Sequence, residues 1–200
     1  MSTGEYITFI ASDDQLTPDG IDIQLKAALA SDASLILSDC ELIDPGGELI
    51  AESAVSYFGK CYKRLAKKES LTKDVLLSWT PPYQHAFIRR EDFFDLGCYD
   101  EKYSFEDRAF CLKAFAEKEV AFSPNVTWRY RIRLSDRLSP GLDRASLFKD
   151  LHFIYLENQS RYKGFNKFIL KLLASSVEPG RVIKSLAAKV TIFGLRLIYR

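Results

Sequence analysis

The stretch Gly4-Glu5-Tyr6-Ile7-Thr8-Phe9-Ile10 runs without a break into Ala11-Ser12-Asp13-Asp14, and its reading decides the fold. The first part is short, aromatic and β-branched, as a strand requires, and the second is a polar turn that ends it. Pro18 and Asp19 then open a predicted helix through Ala30, with Ile21, Ile23, Leu25 and Leu29 supplying its apolar side. The apolar run from Ser34 to Ser38 reads as a second, buried strand. Strand, helix, strand predicts a parallel crossover, and in open α/β sheets ligands gather outside the carboxyl ends of the strands. Asp13 and Asp14 fall at such an end.

Working outward, Asp44-Pro45-Gly46-Gly47 is a turn that can reverse the chain into residues 48–51. Residues 53–73 are polar, basic and aromatic, and are expected to form a mobile loop flanked by a short helix. Pro81-Pro82 interrupts the pattern before a predicted strand at His85–Ile88 and a short helix across Arg90–Leu96. Phe110, Cys111, Ala114 and Phe115 recur at helical spacing, so Glu106 and Asp107 fall at a helix start. Val120–Phe122 and Thr127–Arg133 read as two further strands, and residues 144–160, 162–176 and 181–199 as helices. The expectation is an α/β protein with a Rossmann-like sheet flanked by helices, divided into an α/β portion (1–140) and a basic helical extension (141–200).

Composition agrees with a folded chain. Of 200 residues, 47% are hydrophobic and 28% charged, which excludes a disordered tail, a collagen-like repeat and a small disulfide scaffold. The net charge of +1 conceals an asymmetry: residues 1–150 carry 19 Lys and Arg against 25 Asp and Glu, whereas residues 151–200 carry 9 against 2. Two parts with different surroundings are implied. Cys40, Cys61, Cys98 and Cys111 lie far apart with no C-x-x-C, so neither a zinc site nor a redox pair is signalled and a reducing compartment is the simplest reading. The opening Met-Ser-Thr-Gly-Glu is no secretory leader, and no charge-free run approaches the ~20 apolar residues of a spanning helix, so a cytoplasmic protein is expected.

Two acidic pairs invite a chemical reading. Adjacent carboxylates repel, and are tolerated best where water solvates them or a cation neutralises them. Oxygen-only ligands favour Mg2+ or Mn2+, which usually bridge to a substrate phosphate. The bland alternatives stand beside this: Asp13-Asp14 as turn and capping residues before Pro18, and Glu106-Asp107 as acids of a first helical turn.

The stretch from Gly4 to Asp14, with Leu16 and Pro18, resembles the acidic-motif region of the family-two inverting glycosyltransferases of the GT-A fold. Later segments resemble that family in the same order: His85-Ala86-Phe87-Ile88-Arg89-Arg90, Gly97 with Tyr99-Asp100-Glu101, Phe105-Glu106-Asp107, and Tyr130-Arg131-Ile132-Arg133 followed by Ser139. The resemblance therefore runs from Gly4 to about Ser139. It implies a partial GT-A-like sheet and transfer of a sugar from a nucleotide-diphosphate sugar to a glycan or lipid-linked acceptor in one inverting displacement. Asp14 would hold the divalent cation, Asp13 would contact the donor ribose or the metal's waters, and Asp107 would be the base, with Glu106 orienting it or the acceptor. The helix start would keep Asp107 ionised. Arg131 and Arg133 would neutralise the diphosphate, and His85, Trp79 and Tyr83 would line the acceptor pocket, each with core packing or a solvated strand face as its alternative.

The sequence also departs from the pattern. Ala11 stands where many members have the first Asp of the acidic motif, and the nucleotide-gripping N-terminal segment of the family has no counterpart in these residues. A truncated, partner-dependent or catalytically silent product is the first rival expectation, and a magnesium-dependent phosphohydrolase using the same acids is the second. In the tail, Val182, Ile183, Leu186, Val190, Phe193 and Leu197 with a cationic face suit anionic lipid headgroups, so the reading admits peripheral membrane contact through 181–200; packing onto the body is the alternative. A homo-oligomer is admitted, and nucleic acid is not an expected partner.

Overall fold

The structure is a computed structural model that describes residues 3–132, 143–179 and 182–199. Six strands form one sheet: β1 (Tyr6–Thr8), β2 (Gln15–Leu16), β3 (Leu35–Ile43), β4 (Leu49–Ala51), β5 (Ala86–Arg89) and β6 (Val120–Arg131). Their order is β1-β5-β3-β6-β2, with β4 hairpinned onto the end of β3. Helix α1 (Gly20–Ser31) links β2 to β3 as the sequence predicts. The crossover is nonetheless not between neighbours. β5 lies between β1 and β3 and runs antiparallel to both, so β1 and β3 point the same way without touching. β3 and β6 are parallel neighbours, which makes β1, β3 and β6 co-directional.

β3 is the buried centre of the sheet. Leu35 and Leu37 enter one core cluster, together with Phe110, Phe115 and Val120, while Ile36 enters another with Ala28 of α1 and Phe87. This alternation is the two-fold strand period with both faces covered. The two strands expected at 120–122 and 127–133 are one long strand, β6, whose pairing with β3 shifts register on both sides of Asp39. Pro124 cannot donate to a ladder and sits in that irregular stretch, where a bulge tolerates it.

Between β4 and β5 come α2 (Ala54–Tyr57), α3 (Tyr62–Leu65), α4 (Lys68–Leu77) and a 3-10 turn at Pro81–Tyr83. The mobile loop expected at 53–73 is therefore corrected to three helices. Buried Asp39 accounts for it: its Oδ1 accepts from the Cys40 and Val55 amides at 2.8 and 3.0 Å, and its Oδ2 accepts from Ser53 Oγ at 2.6 Å and from the Tyr62 hydroxyl. Ser53 also caps α2 by accepting from the Ser56 amide. After α5 (Arg90–Asp95) and α6 (Glu106–Glu117), the C-terminal helices are α7 (Arg144–Asn158), α8 (Gly164–Ser176) and α9 (Val182–Ile198). Ile154, Tyr155, Ile169, Leu173 and Ile192 from these helices share one cluster with Leu76, Leu77 and Leu112, so the extension packs on α4 and α6. No helix of the described residues is long and apolar enough to cross a membrane.

Candidate active site at the carboxyl edge of the sheet

Asp13 and Asp14 close a tight turn just beyond β1, in which the Asp14 amide donates to the Ala11 carbonyl at 3.1 Å. The chain then enters β2, which pairs with the far end of β6, Gln15 opposite Arg129 and Leu16 opposite Trp128. Asp14 Oδ1 accepts from the Arg131 amide at 2.9 Å, and Arg131 stands level with Ile43, the last residue of β3. Asp14 thus lies at the carboxyl ends of β3 and β6. Burial pushes its carboxyl up to about 6; the Arg131 amide opposes this, while the neighbouring charge of Asp13 adds to it.

Asp107 is placed by the first turn of α6. Helix α6 ends at Glu117, three residues before β6 begins and beside the start of β3, where the Ser34 amide donates to Glu119 O at 2.9 Å. At 1.5 Å per residue, its twelve residues span roughly 18 Å, so Asp107 stands well away from that start. Tyr99 marks the junction: its ring lies 4.7 Å from that of Phe9, just past β1, and 5.4 Å from that of Phe110, one turn into α6. Burial first, and then the charges of Cys111, Asp107 and Glu106, push the Tyr99 hydroxyl up. The Tyr99 ring thus packs between Phe9, which precedes Asp13-Asp14, and Phe110 of the helix that Glu106-Asp107 open, and no hydrogen bond joins Asp14 to Asp107. Among the described residues no three His, Cys, Asp or Glu side chains gather as a metal cage.

The helix start does not lower Asp107. Burial dominates, and with the charge of Glu106 it raises the carboxyl to about 6 despite the 2.6 Å hydrogen bond that Oδ1 accepts from the Arg108 amide. Arg131 is corrected more fully. Its Nε donates to Asp13 O at 2.8 Å and its Nη1 to Asp44 O and Pro45 O at 2.8 and 3.0 Å, so the guanidinium staples the 13–14 turn to the β3–β4 turn instead of presenting its fork to a diphosphate. Arg133 and Ser139 lie outside the described residues.

His85 and Tyr83, expected at the acceptor pocket, belong to the core, with exposures of 2% and 0%. The His85 ring lies tilted 5.0 Å from that of Trp128, donates from Nε2 to Thr8 Oγ1 at 2.8 Å, and accepts at Nδ1 from Gln24 at 3.3 Å. The Thr8 hydroxyl passes its own proton to Ala86 O, which fixes these roles. Burial lowers the His85 imidazole to about 4, so it stays neutral. Tyr83 donates its hydroxyl to Asp74. Trp79 does line a cavity, beside Lys60, Arg64 and Arg196. Reading the sequence missed Asp39, since one acid inside a strand pattern carries no local sign that four donors will converge on it.

The architecture, a curled sheet flanked by helices with acids at its carboxyl edge, is that of a glycosyltransferase-like fold. Residues 1–349 of S. aureus TarS, solved in complex with UDP-GlcNAc, superpose on the chain with a TM-score of 0.61 at 14% identity, covering 88% of this chain and 48% of that one. The same TarS fragment in complex with UDP gives 0.59 at 13% identity, covering 88% and 46%. The chain thus spans about half the length of these structures, and identity so low speaks for the fold alone. No protein-family model matches the chain, and no curated protein matches its sequence.

Proposed function

We propose that the chain is the acceptor-side portion of a glycosyltransferase that moves a sugar from a nucleotide-diphosphate donor to a glycan or lipid-linked acceptor, with inversion and with a divalent cation. The observation that carries this reading is the position of Asp13-Asp14 at the carboxyl ends of β3 and β6, in a sheet whose fold matches a protein solved with UDP-GlcNAc; in this reading Glu106-Asp107 act at the same edge. A soluble or peripherally attached cytoplasmic enzyme fits the absence of a spanning helix among the described residues.

The donor set fits Mg2+ or Mn2+ held jointly with a diphosphate. Asp14 is desolvated and repelled by Asp13, which a cation would relieve, and one or two carboxylates completed by substrate phosphates are the usual environment of such an ion. Bound there by Asp14, with Asp13 beside it, the ion would supply positive charge to the departing diphosphate. Asp107 takes the proton of the acceptor hydroxyl on Oδ2, since Oδ1 is engaged by the Arg108 amide. With its carboxyl near 6, Asp107 is mostly ionised at neutral pH yet basic enough to accept a proton. Exposed Glu106 holds that value up by like-charge repulsion and orients the acceptor.

Calorimetry with a nucleotide-diphosphate sugar and Mn2+, paired with a transfer assay, tests this. Asp107→Asn is expected to abolish transfer with donor binding largely intact, whereas Asp14→Ala weakens both. Equal binding defects in the two variants would refute the division of roles, and heat without transfer to any acceptor would leave the chain a binding unit that does not turn over.

A further inference from the structure

A cavity of about 370 Å3 opens between residues 58–80 and α9, within the roughly 300–1,000 Å3 typical of small-molecule sites. Its lining combines apolar Phe58, Leu65, Leu77, Phe193 and Leu197 with three cations. Lys60, Arg64 and Arg196 line it against a single acid, Asp74, which already accepts from Lys60 Nζ at 2.5 Å and from the Tyr83 hydroxyl. Arg64 lies over the Tyr199 ring. Arg196 Nε donates to Leu77 O at 2.5 Å, and no acid of the described residues pairs with it.

Behind Trp79 of the lining stands a third guanidinium. Arg108 is buried between the rings of Trp79 and Tyr155, 5.0 and 5.2 Å from their centres, and donates to Leu76 O at 3.3 Å. Its Nε and Nη1 have no hydrogen-bond partner. Two cations therefore rest on consecutive carbonyls at the end of α4, an arrangement that an anion stabilises. The apolar side is equally unfinished. Docking of α9 buries Ala188 and Ile192, one stripe of the helix, and leaves Phe193 and Leu197 63% and 56% exposed along the cavity.

We propose that this cavity seats one phosphate-bearing amphiphile: a hydrocarbon chain along Phe193 and Leu197, ending in a phosphate or diphosphate held by Arg196 and Arg64. Charge complementarity selects the head and the exposed apolar stripe selects the tail. Trp79 connects the cavity to the reaction edge, because Arg108, which stacks on it, follows Asp107 in the chain. Naming this amphiphile as the lipid-linked acceptor rests on the transfer reading; the binding site does not.

Fluorescence gives the test, since the chain has two tryptophans and the other, Trp128, is 1% exposed in the core. The full chain, with neither metal nor sugar nucleotide, is titrated with farnesyl phosphate below its micellar concentration, with farnesol, with inorganic phosphate and with phosphatidylglycerol vesicles. Farnesyl phosphate is expected to give a saturable change, binding about tenfold or more tighter than farnesol. Arg196→Gln should cost about tenfold, Arg196→Lys should recover most of it, and Phe193→Ser should weaken binding at an exposed position where folding is not at stake. Farnesol binding as tightly as its phosphate, a response to vesicles alone, or unchanged affinity in Arg196→Gln and Phe193→Ser would each overturn the proposal. Lost donor binding in the calorimetric experiment would sink the transfer reading and leave this site standing.

Discussion

Replacing Asp39 with Ala removes the acceptor on which the Cys40 and Val55 amides, the Ser53 hydroxyl and the Tyr62 hydroxyl converge. The two hydroxyls belong to half-buried residues and can turn to water, whereas the amides of buried Cys40 and Val55 are stranded. A buried donor left unpaired costs about 1–3 kcal/mol, so the pair should cost about 4 kcal/mol, a large share of the 5–15 kcal/mol that holds a typical domain. For a chain of this size that corresponds to a fall in Tm of roughly 8–16 °C. Asp39→Asn keeps one oxygen for the amides but turns an NH2 toward the hydroxyls, so about half the loss is expected. Urea unfolding followed by circular dichroism gives the free energies, and hydrogen exchange at the Val55 amide locates them: its protection should fall while that of α8 is retained. A loss below about 1 kcal/mol for Asp39→Ala would refute the claim that this carboxylate organises α2 and α3.

Three further outcomes follow from the same geometry. Transfer should decline as pH falls through about 6, close to tenfold per unit below it, because Asp107 then carries the proton it must accept; a flat profile from pH 5 to 7 would remove Asp107 from the role of base. His85 is shifted in the opposite direction from Asp107, and its effect falls on stability. Its ordinary value of 6.5 drops to about 4 in the fold, so the unfolded chain takes up the proton first, and about 3 kcal/mol is lost as pH falls from 6.5 toward 4. Asp14 and Asp107, raised in the fold, offset this in the same range, so the effect is read as the difference between the native chain and His85→Gln; identical pH dependences would contradict it. Finally, a Cβ on Gly20 would overlap the Thr127 carbonyl oxygen, so Gly20→Ala should push α1 off β6 and destabilise by about 2 kcal/mol or more in thermal unfolding.

Local signals carried much of the fold. Tyr6–Thr8 alternates and stops at a polar turn, Gly20–Ser31 follows a proline and an acid, and the turn at residues 44–47 makes the β3–β4 hairpin. The helix carrying Glu106 and Asp107 was legible from Phe110, Cys111, Ala114 and Phe115, which meet the core as their spacing predicts. Helix α9 carries two apolar stripes that the sequence does not rank: residues 188, 192, 195 and 199 and residues 190, 193 and 197 both recur at helical spacing, and the surface of α4 and α8 buries the first while the second stays exposed.

Legible within a few neighbouring residues, where turns, caps and periodicity are written, were β1, α1, the start of β3, β5, α6, the C-terminal helices and the placement of both acid pairs beside element ends. The insertion of β5 between β1 and β3, the capture of Arg131 by three backbone carbonyls, the burial that raises Asp14 and Asp107, and the gathering of helices 54–77 around Asp39 were decided by the tertiary structure alone. Each depends on groups tens of residues apart being desolvated together, and the cost of leaving a charge or donor unpaired exists only once that common interior has formed.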